Sequence, residues 1–410
     1  MGQNREARVG LDGSAFQMRV LKVHNHYLHE GGEDRVFAAE IDLLTSHGHD
    51  VRSYTRDNED LRGVGNARLA ATTLWSTRTF REVSGLLAAE RHDVVHVHNT
   101  LPLVSPSVYH AARRAGVPVV QTLHNYRLLC PAATFLRDGR ACEDCLGKRF
   151  AWPGVAHACY RRNRGATAVI ATTYAAHGLV GTFRSTIDRY IALTEFGREK
   201  FIAGGLPGTR ISVRPNYLAD DPGVGDGRGG YALFVGRLSV EKGIATLLSA
   251  WRRLEGRIPL RIVGDGPLAA AVAEATRSLP GVTWLRSLPH PDALAQMRGA
   301  TALVLPSEAY EAFPLTVVEA FASGTPVVAT DIGAMREIVQ HGETGLRFAF
   351  GDANELAERV ERLFALPEER QRMGMAARAR YLAAYTRDRA YDSLMEIYRF
   401  AGATSARKVP

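Results

Sequence analysis

"YEAFPLTVVEAFASGTPVV", residues 310–328, reads as loop, helix, turn and strand. Pro314 suits the first turn of a helix, where its missing N–H would be unpaired in any case. Leu315, Val318, Phe321 and Ala322 recur at helical spacing. Gly324 fits the position just past a helix end, and the residues after Pro326 form a short apolar run of the kind buried strands have. The helix is apolar, yet it carries Glu319, and Glu311 stands at its mouth. A buried carboxylate needs partners. A helix start offers free N–H groups and positive potential to an anion. A phosphate there, flanked by carboxylates that accept hydrogen bonds from hydroxyls, describes a sugar nucleotide. A capping Glu311 and a salt-bridged Glu319 would fit the same spacing, so the rest of the chain has to decide.

Working outward, the same alternation recurs on both sides. "MRVLKVH" (18–24) is a strand; it runs into the turn "HEGGEDR" and the helix-period segment "VFAAEIDLL". Further strands are expected at 93–98, 117–123 and 190–194, and then at 231–236, 260–264, 282–285, 301–306 and 326–330. Strands alternating with helices argue for parallel, doubly wound sheets. Between the two series lies "YLADDPGVGDGRGG", rich in Gly and Asp, which reads as a linker. The expected organisation is an N-terminal arm (1–17), a first Rossmann-like domain (18–217) with a cysteine-rich insert (130–164), a linker (218–230), a second Rossmann-like domain (231–385), and a terminal helix and tail (386–410). The fold class is α/β, with two such domains facing a cleft.

Composition sets the outer bounds. The chain has 410 residues and 46% apolar content, enough for two or three domains with sizeable cores. No apolar run is long enough to span a bilayer, and residues 1–17 lack the apolar core of a signal peptide. Gly2 is not a myristoylation site, because Glu6 stands where Ser or Thr is required. Met18 is a candidate start, and the expected location is cytoplasmic. The net charge of +8 is uneven: residues 1–220 hold 28 Lys/Arg against 21 Asp/Glu, and the remainder 23 against 22. A basic first half suits an acidic partner, although an Arg-rich solvated surface would look the same.

In "FVGRLSVEKGI" a strand ends at Val235 and a helix is expected near Glu241. Ligands of open α/β sheets bind at the carboxyl ends of strands. Arg237 and Lys242 stand there, a guanidinium fork and an ammonium point charge that suit a diphosphate. "IVGDGPL" (262–268) repeats the strand and glycine turn.

These two motifs, "PSEAYEAFPLTVVEAFASGTPVVATDIGAMREIV" and "HGETGLRF" occur in the order and spacing of glycosyltransferase family 4, which the chain resembles from about residue 18 to 400. The resemblance implies a retaining enzyme of GT-B fold with a nucleoside-diphosphate sugar as donor and no requirement for a catalytic metal. Glu311 and Glu319 match the family's E-x7-E signature, Glu311 resembling the residue that holds the donor sugar and Glu319 the one that holds the ribose. Arg237 and Lys242 resemble the diphosphate-binding pair. Gly31 and Gly32 resemble the loop over the donor phosphates, and His124 resembles the active-site histidine beside the reacting carbon. Gly236, Gly264, Phe313, Leu315 and Thr316 complete the donor site implied by the resemblance. Ala312 stands where the family usually has glycine, so the donor sugar is not carried over.

Three features lie outside that set. Cys130, Cys142, Cys145 and Cys159 are the only cysteines and fall within thirty residues. Their C-x11-C-x2-C-x13-C order suits an all-thiolate structural zinc, with disulfides the weaker reading in a cytosolic chain. A cysteine insert is found in some family members only. His24/His26 and His96/His98 form two H-x-H pairs, which motivate a rival class, a metal-dependent hydrolase; no carboxylate set at matching spacing accompanies them. Residues 148–164 hold Lys148, Arg149, Arg161, Arg162 and Arg164 with Phe150, Trp152 and Tyr160 and no acid. That composition suits a lipid-linked acceptor at an anionic membrane surface, placing the enzyme peripherally on the cytosolic face. No nucleic-acid fold signature is present, so RNA is not an expected partner. The expected activity is glycosyl transfer to a saccharide or lipid-linked acceptor in polysaccharide or glycolipid biosynthesis. A GT-B nucleotide-sugar epimerase and a non-catalytic sugar-nucleotide-binding protein are the alternatives.

Overall fold

The computed structural model describes residues 17–28 and 31–406. The expected N-terminal arm, apart from Gln17, and His29 and Glu30 of the glycine turn lie outside the described residues.

The strands follow the apolar runs. They are β1 (Arg19–His26), β2 (Asp50–Asp57), β3 (Val94–Val97), β4 (Val119–Thr122), β5 (Leu136–Arg137), β6 (Arg140–Ala141), β7 (Arg189–Ala192) and β8 (Ile211–Val213). The second series is β9 (Ala232–Val235), β10 (Leu260–Val263), β11 (Val282–Trp284), β12 (Ala302–Leu305), β13 (Val327–Thr330) and β14 (Gly345–Phe348). They form two six-stranded sheets, in the orders β2-β1-β3-β4-β7-β8 and β11-β10-β9-β12-β13-β14, and β5 pairs antiparallel with β6 in a small hairpin. β1 lies parallel between β2 and β3, and β9 lies parallel between β10 and β12. In both sheets the order reverses beside the first strand of the series. Open α/β sheets bind ligands at such a switch point, beyond the carboxyl ends of the strands. This is the two-sheet α/β architecture expected of a GT-B chain.

By contacts the chain groups into two compact units. Among the described residues, one holds those up to Thr122, Leu179–Tyr190 and those from Met395 onward; the other holds Leu123–Gly178 and Ile191–Leu394. In the second unit, Phe234, Trp251, Ile262 and Val304 are buried in an apolar cluster on one side of β9–β14, and Leu233, Leu303, Val318 and Phe321 are buried in another. The alternation of Leu233 and Phe234 between clusters is the period-2 pattern of a strand buried on both faces. The linker has no regular structure, but it is tied down. Asp221 receives both guanidinium nitrogens of Arg378, and Gly225 N–H donates to Ser323 O.

Candidate active site

The quoted stretch folds as loop, helix, turn and strand, although Pro314 stands just before the first helical turn and not within it. The helix runs Leu315–Ala322 with Pro314 at its N-cap, and Gly324 follows Ser323 with φ +68. Glu311 lies in the loop between β12 and this helix, half-buried. Its Oε1 accepts from Lys242 Nζ at 2.6 Å and from Ser307 Oγ at 2.8 Å.

Lys242 reaches it because two loops approach closely. It ends a short 3-10 turn, Val240–Lys242, and Gly243 then caps the helix Ile244–Leu254. The expected helix near Glu241 therefore begins after this turn. Gly243 has φ +68, and a Cβ there would lie 1.8 Å from Pro306 O. Only glycine lets the β9 loop lie against the exit of β12. Glu308 N–H donates to Glu241 O at 2.9 Å, and Thr246 Oγ1 donates to Glu308 Oε1 at 2.7 Å, closing the junction.

Arg237 is exposed just past β9 and makes no side-chain hydrogen bond or ion pair with another described residue. The turn after β10 crosses it closely: Gly264 has φ +138, and a Cβ there would meet Gly236 O at 1.9 Å. Leu238 N–H donates to Asp265 O. The carboxyl ends of β9, β10 and β12 are thus interlaced by backbone, with two cations and one carboxylate at the rim.

Glu319 is 4% exposed on the inner face of its helix, and its Oε1 faces His290 Nε2 at 2.9 Å. His290 opens the helix His290–Gly299 and is itself exposed. Sequence reasoning missed this partner. His290 sits in "LPHPDAL", a helix start with no periodic signal, 29 residues from Glu319, and only the fold joins them. Phe313 is buried, with its carbonyl accepting from Asn216 Nδ2; Leu315 and Thr316 are half-buried in the first helical turn.

The first-half candidates are placed as follows. His124 is half-buried beyond β4, after Leu123, whose N–H donates to Ile191 O. Gly32 starts the helix Gly32–Ser46 and Gly31 is its N-cap. A Cβ on Gly31 would touch nothing nearer than Asp34 Oδ2 at 3.7 Å, so the chain's own packing does not require glycine there.

Both H-x-H pairs are already engaged. Lys22, Glu40, His96 and His98 form a fully enclosed group. Lys22 Nζ contacts Glu40 Oε2 and lies 3.0 Å from His96 Nδ1 and 2.6 Å from His98 Nε2. A lysine ammonium thus sits among the three ligand atoms that a metal would need. His24 Nε2 and His26 Nδ1 both face Asp34 Oδ1, at 2.9 and 3.1 Å, and Gly31 N–H donates to Asp34 Oδ2. That carboxylate is occupied by donors on both oxygens.

The four cysteines are free thiols, two buried and two half-buried. Burial, above all, pushes the Cys145 thiol up to about 11, with the three neighbouring thiols adding to it and the Gly154 N–H opposing it. Among the described residues, however, no three cysteine sulfurs lie within 4.8 Å of one another. Sulfurs sharing a tetrahedral zinc stand about 3.8 Å apart, given Zn–S bonds of about 2.3 Å. As placed, the thiols do not close such a shell.

Comparison with known proteins agrees with the architecture. Residues 31–217 match the family described as Glycosyl transferase 4-like domain, and residues 225–380 match Glycosyl transferases group 1. D-inositol 3-phosphate glycosyltransferase 1 of Catenulispora acidiphila is 30% identical over 343 residues, covering 78% of this chain and 75% of that protein. The chain belongs to the group 1 glycosyltransferase family. Alpha-maltose-1-phosphate synthase of Mycolicibacterium smegmatis is 33% identical over 182 residues, but the match spans only 40% of this chain and 46% of that protein. Among solved structures, Anabaena HepE in complex with UDP superposes with a TM-score of 0.65 at 18% identity, covering 92% of this chain and 99% of that one. That likeness is one of fold. Both matched segments of this glycosyltransferase contain expected site residues: Gly31, Gly32 and His124 in the first, and Arg237, Lys242, Glu311 and Glu319 in the second.

Proposed function

We propose that this chain transfers a glycosyl group from a nucleoside-diphosphate sugar to an acceptor hydroxyl with retention at the anomeric carbon, as a family 4 enzyme. The observation that carries the reading is the junction of Lys242 and Glu311 beside the exposed Arg237, at the carboxyl ends of β9 and β12. The cations neutralise charge that grows on the diphosphate as the glycosidic bond breaks, together with the helix start at Leu315 and Thr316. Glu311 orients the sugar and Glu319 the ribose. His124 stands beside the reacting carbon, and Gly31 and Gly32 leave room for a phosphate. The leaving diphosphate takes the acceptor proton on the same face, so catalysis rests on positioning and on charge stabilisation.

The donor-binding part of the chain is assigned to 231–385 and the acceptor part to 18–217. The acceptor is a saccharide or lipid-linked saccharide of a polysaccharide or glycolipid pathway, and the enzyme works in the cytoplasm, in contact with the inner membrane surface. Exposed Lys148, Arg149, Phe150, Trp152, Arg161, Arg162 and Arg164 support that contact. No helix among the described residues is long and apolar enough to cross a membrane. A structural zinc, and membership of a cysteine-insert subset, rest on the clustering of the cysteines in the sequence alone; metal content of the purified chain decides the first.

A calorimetric screen of UDP, GDP and their sugars tests the reading, the neighbour solved with UDP making UDP the first probe. Turnover should release free diphosphate only when an acceptor is present, and the product should keep the donor's anomeric configuration. Binding of none of these donors, or inversion, overturns it.

A further inference from the structure

The loop carrying Glu311 is gripped by the cysteine-rich insert, and the grip is made of several different interactions. Tyr310 N–H donates to Thr134 O at 3.1 Å. Its hydroxyl donates to Glu143 Oε1 at 2.8 Å, and Lys200 Nζ donates to the same oxygen at 2.7 Å. The Tyr310 ring lies 5.5 Å from Phe135, which is 1% exposed, and edge-on to Phe196 at 5.0 Å. Lys200 Nζ also stands over both the Phe196 and Tyr310 rings. Tyr126, 1% exposed, directs its hydroxyl at Glu311 O, 3.5 Å away.

Glu143 belongs to this insert by sequence, next to Cys142 and just after the β5–β6 hairpin. Burial acts to raise its pKa, but the hydrogen bonds from Lys200 and Tyr310 outweigh it, and the carboxylate is held below its ordinary value. Burial and then that carboxylate push Tyr310 up to about 12, so at neutral pH the hydroxyl keeps the proton it donates. One residue further on, Glu311 has its carboxylate tied to Lys242 and Ser307. The loop is therefore fixed from two sides: by the β9 loop at Glu311 and by the insert at Tyr310. A free loop at this point would have to be ordered each time a donor bound, and that cost would fall on affinity for the sugar.

We propose that Glu143, carried by the cysteine-rich insert, is a positioning residue that sets the Glu311 carboxylate for the donor sugar by gripping the hydroxyl of Tyr310. This rests on the function proposed above for Glu311. It also ties the insert to the donor site, because the hairpin and its cysteines form the base from which Glu143, Thr134 and Phe135 hold the loop.

The test uses the full chain and three variants, Glu143→Ala, Glu143→Gln and Tyr310→Phe, with two readouts. Amide hydrogen exchange is followed in peptides covering 307–313 and, separately, 131–146. Calorimetry then compares UDP with UDP-glucose and GDP with GDP-mannose. In Glu143→Ala and Tyr310→Phe, exchange at 307–313 should accelerate at least about tenfold. Bare UDP or GDP should bind within about twofold of wild type, while the added affinity from the sugar is lost. Glu143→Gln keeps an acceptor and should recover most of both. If Glu143→Ala unfolds the insert, Tyr310→Phe, which leaves the insert intact, decides alone. Unchanged exchange at 307–313 in Tyr310→Phe overturns the proposal. So does faster exchange with the sugar's contribution intact. Failure of the wild type to bind any of the four nucleotides would sink the functional reading, and the exchange result would still decide whether Glu143 holds the loop.

Discussion

Lys242 Nζ donates to Glu311 Oε1 across 2.6 Å, whereas Arg237 on the same loop is exposed and makes no side-chain pairing with a described residue. The two cations therefore differ in what their removal does to the empty protein. Arg237→Ala deletes a group that makes no side-chain hydrogen bond or ion pair with another described residue, and its melting temperature should match wild type. Lys242→Ala leaves the Glu311 carboxylate held by Ser307 and should also release the loop. Each should weaken UDP binding by roughly 1–3 kcal/mol, the worth of a charge-assisted hydrogen bond. Equal UDP affinity in wild type and both variants, measured by calorimetry, would refute the diphosphate assignment.

Glu319 is buried and faces His290, so its carboxylate is fixed before any ligand arrives. Glu319→Gln should raise the donor dissociation constant with little change in turnover, because the ribose is held equally in ground and transition states. His290→Ala should do the same more weakly. Glu311→Gln should act mainly on turnover, since its sugar contact changes as the bond breaks. Identical kinetic patterns for Glu311→Gln and Glu319→Gln would show that the roles are not divided this way.

The parts of this architecture visible in the sequence are those encoded locally. Apolar runs such as "ALFV" and "VVAT" name buried strands, and Pro314 with Gly324 brackets a helix. β2 escaped notice because it is an edge strand: "DVRSYTRD" is largely polar, and of its residues only Tyr54 is buried. The E-x7-E spacing marks two carboxylates, but His290 reaches Glu319, and Glu143 reaches Tyr310 beside Glu311, from other elements, which no spacing in a single stretch encodes. The H-x-H pairs invited a metal reading for the same reason. Lys22, in the middle of β1, supplies the cation at His96 and His98, and a lysine in a strand ordinarily suggests a solvated face.

The buried group at β1 and β3 has a measurable energetic signature. Lys22→Met leaves the enclosed Glu40 carboxylate without its ammonium, and breaking a buried pair on one side costs about 3–5 kcal/mol. Adding Glu40→Leu removes the stranded charge, and replacing both members of such a pair by apolar residues is often neutral. Urea unfolding should therefore show Lys22→Met strongly destabilised and Lys22→Met/Glu40→Leu largely recovered. A double variant no more stable than the single one would contradict this account of the group.

Acid should loosen the same region. Burial, then the neighbouring Lys22 and His96, hold the His98 pKa well below its ordinary value of 6.5, although Glu40 opposes them; burial lowers His24 too, against the pull of Asp34. Between the depressed native values and 6.5 the unfolded chain binds protons that the native chain does not. The stability these histidines contribute is thus present above pH 6.5 and lost as pH falls below it. Asp34 adds a second loss at lower pH. Burial raises it, but His24 and the Gly31 N–H hold it at about 2 against an ordinary 3.8, so its contribution disappears from about pH 4 downward. Melting temperatures should fall from pH 7.5 to 5.5, and His98→Asn should flatten that slope. A melting temperature that does not change over this range would overturn the assignment of neutral, buried histidines.

The basic and aromatic stretch 148–164 yields the last prediction. Trp152 is 60% exposed and Phe150 40%. Lys148 stands over the Trp152 ring at 5.9 Å, and Arg161 and Arg127 stand over the Tyr160 ring at 5.3 and 5.5 Å. Aromatic rings at a membrane–water boundary, with basic groups beside them, suit the headgroup layer of an anionic leaflet. Each base near such a surface contributes about 1 kcal/mol, and the attraction falls within a Debye length. The full chain should therefore co-sediment with vesicles containing anionic lipid at low salt and release at high salt. Trp152→Ala should weaken binding at both salts, because its share is apolar and not screened. Arg161→Glu with Arg162→Glu should abolish binding without changing affinity for UDP, since those residues are exposed and lie outside the proposed donor site. Wild type that stays in solution at low salt, or a charge-reversed variant that binds as well as wild type, would remove the membrane from this proposal and leave a soluble saccharide as the acceptor.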